Sequence, residues 1–269
     1  MQSLNVLIIG EGKSLEHIIN SKHLNKIYTV AEQEINGAIN LKFNTFKELA
    51  QKCRTLQIDI VLVEEEKWIL EGITDVMKQN FVNCFAVTSY WANLRLSHKF
   101  TRKMLQKYDI NVPPTINLPL EYPVLVKGDG VLKIANSMQE IITIKEKIYN
   151  NSPEIAKNVF LEKYLNGIKY KITSIFDGKH LLTFPTEYIE KRLLEEYSLK
   201  LEKMLLGENA NFTGFINSFV VVEDNKLYNT GFSLEFEHPN LDVTKSNQAK
   251  DILYICLSAI YQKLNEIEL

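Results

Sequence analysis

The chain has 269 residues, 45% of them hydrophobic and 24% charged, and a formal net charge of −2. That is enough chain for a large core in two or three lobes, and the composition is ordinary for a globular protein. The charge balance gives no electrostatic pull toward nucleic acid or an anionic membrane, and no apolar run reaches the roughly 20 residues a membrane span needs. Cys53, Cys84 and Cys256 form no CxxC pair, which argues against a disulfide framework or zinc site and for a reducing, cytoplasmic setting.

Residues 5–9 are a continuous apolar run ending at Gly10, the pattern of a strand buried on both faces of a parallel sheet. A helix is expected from Ser14, a strand over 27–30, and a helix capped by Thr45, with Glu48 in capping-box position, to about Cys53. Residues 59–63 repeat the buried-strand pattern, and a helix is expected from about Leu70 to Lys78. Strands alternating with helices predict a doubly wound domain over 1–95. Residues 97–108 read as a helix and Val112-Pro113-Pro114 breaks regular structure, so 96–116 reads as a linking helix and loop. Strands at 123–127, 131–135, 159–162, 170–176 and 180–184, with one helix over 137–149, predict a small α+β lid over 117–180. A helix from Glu195, a hairpin of 215–223 and 227–234, and an amphipathic helix over about 245–264 fill a larger lobe, 181–269.

Gly10-Glu11-Gly12-Lys13-Ser14 follows a strand, but a Walker A loop needs glycine where Leu7 stands, and a dinucleotide fingerprint needs glycine at Leu15. What remains is a tight turn with amides at a helix start, read as structural before phosphate-holding. Residues 122–130 carry an apolar strand ending in Lys127, which places an ammonium at the mouth of a cleft, where it meets a phosphate or a purine edge. Residues 160–167 add a strand with Glu162 and a hinge-like Lys163-Tyr164-Leu165. No nucleophile-elbow signature and no metal-ligand spacing among the five histidines accompanies them.

Six segments in order resemble phosphoribosylamine–glycine ligase, an ATP-grasp family of purine synthesis. Residues 5–17 resemble its opening strand and glycine turn, and 58–73 its next strand, with Glu66 at the glutamate position and Glu64-Glu65 replacing Gly-Pro. Residues 95–113 resemble its Ser-Lys-Ala-Phe helix, 122–130 its adenine-side lysine strand, 160–172 its hinge strand, and 212–215 the approach to its metal-bearing hairpin. The resemblance implies the ATP-grasp architecture: a doubly wound N-terminal domain, a small α+β lid and a larger antiparallel-sheet lobe. It also implies a nucleotide site of Lys99, Lys127, Lys133, Glu162, Lys163, Tyr164 and Leu165, and a weaker substrate side of Gly10, Gly12, Glu66, Thr186, Lys191 and Arg192.

The departures weigh against catalysis. The family's Gly-rich phosphate loop after the lysine strand is missing at Asp129-Gly130, and Lys133 is a partial substitute at best. Lys99 stands one step, or about 100° of helix, from the family lysine position, which His98 occupies. Asn229-Thr230-Gly231 replaces the metal-bearing Glu-Phe-Asn, leaving Glu235 and Glu237 as weak substitutes for anchoring Mg²⁺. Tyr188 and Ile189 replace a substrate-side Gln-Asp pair, and the sequence stops before the family's C-terminal domain. The expected function is therefore nucleotide (ATP) binding with impaired or absent ligase chemistry, in a regulatory role or with an unidentified protein partner. A minimal active ATP-dependent carboxylate–amine ligase is the alternative.

Overall fold

The computed structural model describes residues 3–118, 121–237, 239 and 250–269. The N-terminal part runs β1 (Leu4–Ile9), α1 (Leu15–Ile18), β2 (Leu24–Val30), β3 (Ile39–Asn40), α2 (Phe46–Thr55), β4 (Ile60–Val63), α3 (Glu66–Leu70), α4 (Ile73–Gln79) and β5 (Cys84–Phe85). Its five strands are all parallel in the order β3-β2-β1-β4-β5. That order reverses direction between β1 and β4, the place where open α/β sheets form their crevice. Leu7, Ile9, Val61 and Val63 face one core while Val6, Ile8, Ile60 and Leu62 face another, which explains the unbroken apolar runs. Thr45 accepts the Glu48 amide at 3.2 Å to start α2, as the capping pattern predicts.

Two expectations need correction here. The helix from Ser14 is a single turn. The helix expected from Leu70 is interrupted by Gly72 at φ +85, a conformation that lets the chain turn between α3 and α4. The short edge strands β3 and β5 are too brief to leave a periodic signal.

Helices α5 (Asn93–Leu96) and α6 (His98–Lys107) lead to the lid: β6 (Thr115–Ile116), β7 (Val124–Gly128), β8 (Val131–Ala135), α7 (Met138–Asn151), α8 (Pro153–Ala156) and β9 (Phe160–Lys163). The lid sheet has the order β6-β9-β7-β8 and is antiparallel throughout. The larger lobe follows with β10 (Ile168–Phe176), β11 (Leu181–Thr183), α9 (Lys191–Gly207), β12 (Gly214–Glu223), β13 (Lys226–Ser233) and α10 (Ile252–Ile260). Its sheet order is β11-β10-β12-β13. The strands expected at 170–176 and 180–184 as part of the lid thus pair with the larger sheet, because β10 finds a nine-residue partner in β12. Helix α9 starts at Lys191, four residues before the expected start, and covers one face of that sheet.

The C-terminal helix differs most from expectation. Of the expected 245–264 span, 245–249 lies outside the described residues, and α10 begins after Asp251, whose carboxylate accepts the Leu253 and Tyr254 amides. It is buried along most of its length, at Ile252, Leu253, Ile255, Cys256, Ser258 and Ala259, and it lacks the polar face of an amphipathic helix. It fills the second face of the parallel sheet beside Val6, Ile8 and Leu62. Ser21 donates to Asp251 at 2.7 Å, fixing the helix start to the N-terminal part.

Candidate functional site

Residues paired across an antiparallel sheet share a face. In the lid, Val124, Val126, Ala135 and Leu161 turn to α7 and pack with Ile141. Leu125, Lys127, Leu132, Ile134, Phe160 and Glu162 therefore line the opposite, inner face. Lys133 pairs with Val126 and so sits on the α7 side, away from Lys127, which corrects its expected role beside a phosphate.

Lys127 and Glu162 lie at the junction of the two sheets. Lys127 Nζ is 3.1 Å from Glu162 Oε2 and donates to the Thr230 main-chain oxygen of β13 at 2.8 Å. Arg102 of α6 donates to Glu162 Oε1 at 2.7 Å. All three side chains are largely buried, and the cavity they share with His98, Asn229 and Thr230 measures about 10 Å³, room for one water. Burial, and next the Lys127 charge, push the His98 imidazole down to about 4. An ammonium has three donors, so Lys127 keeps one, with room beside it for a single water.

Beyond Glu162 the chain leaves the sheet. The Lys163 amide donates to Pro114, but the backbone groups of Tyr164 and Leu165 have no hydrogen-bond partner among the described residues, although Leu165 is buried. A buried, unpaired N–H and C=O pair costs free energy unless a ligand or water meets it.

On the phosphate side, β7 and β8 are joined by the two-residue turn Asp129-Gly130, since Gly128 pairs with Val131. Asp129 folds back onto the start of α6, accepting the His98 amide at 2.9 Å and the Ser97 hydroxyl at 3.5 Å. A carboxylate thus holds the positive end of that helix. Lys99 is exposed one residue further along α6.

On the last hairpin, Asn229 pairs with Val220 and turns toward α9, donating to the Tyr197 hydroxyl at 2.7 Å. Burial pushes the Tyr197 hydroxyl up to about 12. Glu237 is 2.6 Å from Lys171, and Glu235 is exposed. Among the described residues no three His, Cys, Asp or Glu side chains converge as a metal would require.

The turn after β1 is closed from within. The buried Glu64 carboxylate accepts the Gly12 amide at 2.8 Å and the Ser14 amide at 2.6 Å. Glu66 accepts the Leu234 amide at 3.0 Å and lies 3.3 Å from Arg95, joining the two parts. Beside Gly10 opens a crevice of about 540 Å³ lined by Glu11, Glu32, Glu34, Glu65, Lys67 and Trp68. Thr186, Lys191 and Arg192 are elsewhere: Lys191 and Arg192 are exposed at the start of α9, facing Glu195 and Glu190.

No protein-family model matches the chain. It is 22% identical to the phosphoribosylamine–glycine ligase of Fusobacterium nucleatum, over 99% of this chain and 75% of that protein. The alignment runs over 323 residues, more than the 269 here, so segments of that ligase have no counterpart in this chain. The solved phosphoribosylamine–glycine ligase of Thermotoga maritima superimposes with a TM-score of 0.72 at 15% identity, covering 96% of this chain and 76% of that one. The fold is ATP-grasp. The D-alanine–D-alanine ligase of Bacillus anthracis complexed with ATP shares it with a TM-score of 0.66 at 16% identity, covering 99% and 100% of the two chains. Sequence similarity to phosphoribosylamine–glycine ligases thus extends along nearly the whole chain.

Within this ATP-grasp fold, Lys127 and Glu162, both expected at a nucleotide, instead meet each other on the lid's inner face. The sequence reading missed Arg102, Asp129 as a helix cap, and Glu64 as the filler of the glycine turn. Arg102 and Glu162 are sixty residues apart, and no local pattern signals their contact. For Glu64 a signal existed: a glutamate replaces the glycine of the related ligases at the end of a buried strand, where a charge needs donors. Among the described residues no helix is long and apolar enough to cross a membrane.

Proposed function

We propose that this protein binds a purine nucleotide between its lid and larger lobe and does not turn it over as a ligase, acting in the cytoplasm as a binding or regulatory relative of phosphoribosylamine–glycine ligases. The observation that carries this reading is the Asp129-Gly130 turn. Two residues cannot supply the several convergent amides that hold a polyphosphate, and the helix start beside them is taken by a carboxylate. The unpaired backbone of Tyr164 and Leu165 supports retention of the base end of the site. The hairpin donor set does not fit Mg²⁺, which wants hard anionic oxygens in octahedral array: Asn229 turns to Tyr197 and Glu237 is committed to Lys171. Clamping of the transferring phosphoryl group is the main catalytic device of such chemistry, so its loss costs orders of magnitude in rate.

The test is an ADP-release assay with ATP, Mg²⁺, glycine and phosphoribosylamine, run beside a thermal-shift titration with adenine nucleotides. Ligand-dependent stabilisation without ADP release is expected. Magnesium-dependent ADP release would establish the second reading, a minimal carboxylate–amine ligase, which the near full-length similarity to ligases favours. In that case Glu235→Gln or Glu237→Gln would abolish the release.

A further inference from the structure

We infer that a cavity between the edge of the N-terminal sheet and the larger lobe is an effector site for a small monocarboxylic acid with an apolar tail. It stands apart from the nucleotide reading, and neither depends on the other.

The cavity measures about 400 Å³ and lies where the edge strand β5 meets the larger lobe. Stretches 74–88, 177–178, 210–213 and 260–262 surround it. Strand β10 leads away from the lid and ends beside Asp177, and its nine residues at about 3.3 Å each put roughly 26 Å between its two ends. The cavity is therefore no part of the cleft under the lid. Lys78 donates to the Asn211 main-chain oxygen at 2.6 Å, and Phe85 and Ala86 bridge to Thr213, so the cavity sits on a junction that a ligand would tighten.

Its wall and its rim differ. Val82, Ala86, Ala210 and Phe212 give a buried apolar wall, which suits a hydrocarbon tail. Thr88 belongs to that wall, is 4% exposed, and its hydroxyl has no hydrogen-bond partner. Native chains pair nearly all buried hydroxyls, so an orphan on a cavity wall marks a place for a polar ligand atom. The rim carries Lys78, Asn211 and Gln262, all exposed.

Charge selects the acid. Lys78 forms no ion pair among the described residues and keeps two of its three donors beyond the bond to Asn211. The side-chain amides of Asn211 and Gln262 make no hydrogen bond among the described residues either. The carboxylate in the lining, Asp177, is already saturated. It accepts the Lys179, His180 and Leu264 amides at 2.8, 2.6 and 3.2 Å and faces the His180 ring at 3.1 Å. The groups left free are thus one cation and neutral donors, with no free anion. A carboxylate finds partners here, whereas an ammonium entering the cavity would lose water with nothing to replace it. That excludes amines and amino acids.

The experiment is a ligand-observed NMR titration of the full chain with 4-methylpentanoate, with its amide, and with leucine, which is the same acid carrying an ammonium. It is repeated on Lys78→Met and Thr88→Val. The acid is expected to bind at least tenfold more tightly than the other two. Lys78→Met should weaken it about tenfold, and Thr88→Val about threefold without lowering the urea midpoint, since the native hydroxyl is unpaired. Equal binding of the amide or of leucine, an unchanged affinity in Lys78→Met, or no binding of any of the three overturns the inference and leaves the nucleotide reading standing. An unchanged affinity or a lower midpoint in Thr88→Val overturns the role given to that hydroxyl.

Discussion

Glu64 Oε1 accepts the Ser14 amide at 2.6 Å across fifty residues of sequence, and its other oxygen takes the Gly12 amide, so the turn after β1 is held by a carboxylate of the chain itself. Hydrogen bonds to a charged group are each worth about 1.5–3 kcal/mol. Glu64→Ala is therefore expected to destabilise the chain by about 2–4 kcal/mol, read as a lower urea midpoint with an unchanged slope. Gly10→Ala should also destabilise, because its methyl would stand 2.7 Å from Glu64 Oε2 at a backbone φ of +144. A midpoint within experimental error of the native protein in both variants would rule out this account of the turn.

The buried cluster of Arg102, Lys127 and Glu162 predicts an asymmetry between its members. Arg102→Met leaves Glu162 paired with Lys127 and should cost about 1.5–3 kcal/mol. Glu162→Gln leaves two cations facing each other out of water and should cost more, about 3–5 kcal/mol. Equilibrium unfolding of the two variants side by side checks the order. Equal losses would mean that the cluster is wetter than its burial indicates.

His98 is held neutral, with its pKa near 4 where an unperturbed imidazole titrates near 6.5, chiefly through burial and then the neighbouring Lys127. The folded state therefore binds this proton less readily than the unfolded chain. The His98 contribution is fully present above about pH 6.5, is lost progressively as pH falls toward about 4, and changes no further below that. His98→Gln should flatten the difference in stability between pH 6.5 and pH 4.5. A native and variant pair with parallel pH profiles over that window would contradict the assignment.

The three cysteines should be inert in the native state. Burial pushes the Cys53 thiol up to about 11 and the Cys84 thiol up to about 12, and raises Cys256 further still. The thiolate is the reactive form, so labelling with a thiol reagent at pH 8 is expected to be slow in the folded chain. It should reach three groups per chain only in denaturant. Rapid labelling of any one of them without denaturant would show local opening at that position.

Much of the architecture was legible in the sequence. Residues 5–9 and 59–63 read as doubly buried strands because both their faces are apolar, and Thr45 and Ser137 start helices because their hydroxyls accept amides three residues on. The sequence alone also determined that the phosphate loop would be a two-residue turn, since Asp129-Gly130 runs directly into the next apolar strand. Where the charges go was settled by the folded chain. That Glu64 meets Gly12 and Ser14, that Arg102 meets Glu162, and that Asp129 caps α6 are contacts between distant segments, and no local periodicity encodes them. The same holds for α10, read as an amphipathic helix. It is buried along most of its length because the single turn α1 covers only part of the second face of the N-terminal sheet, and residues 252–260 return to cover the rest. Hydrophobic periodicity reports whether a face is buried; which segment buries it is settled by the free energy of the whole packed chain.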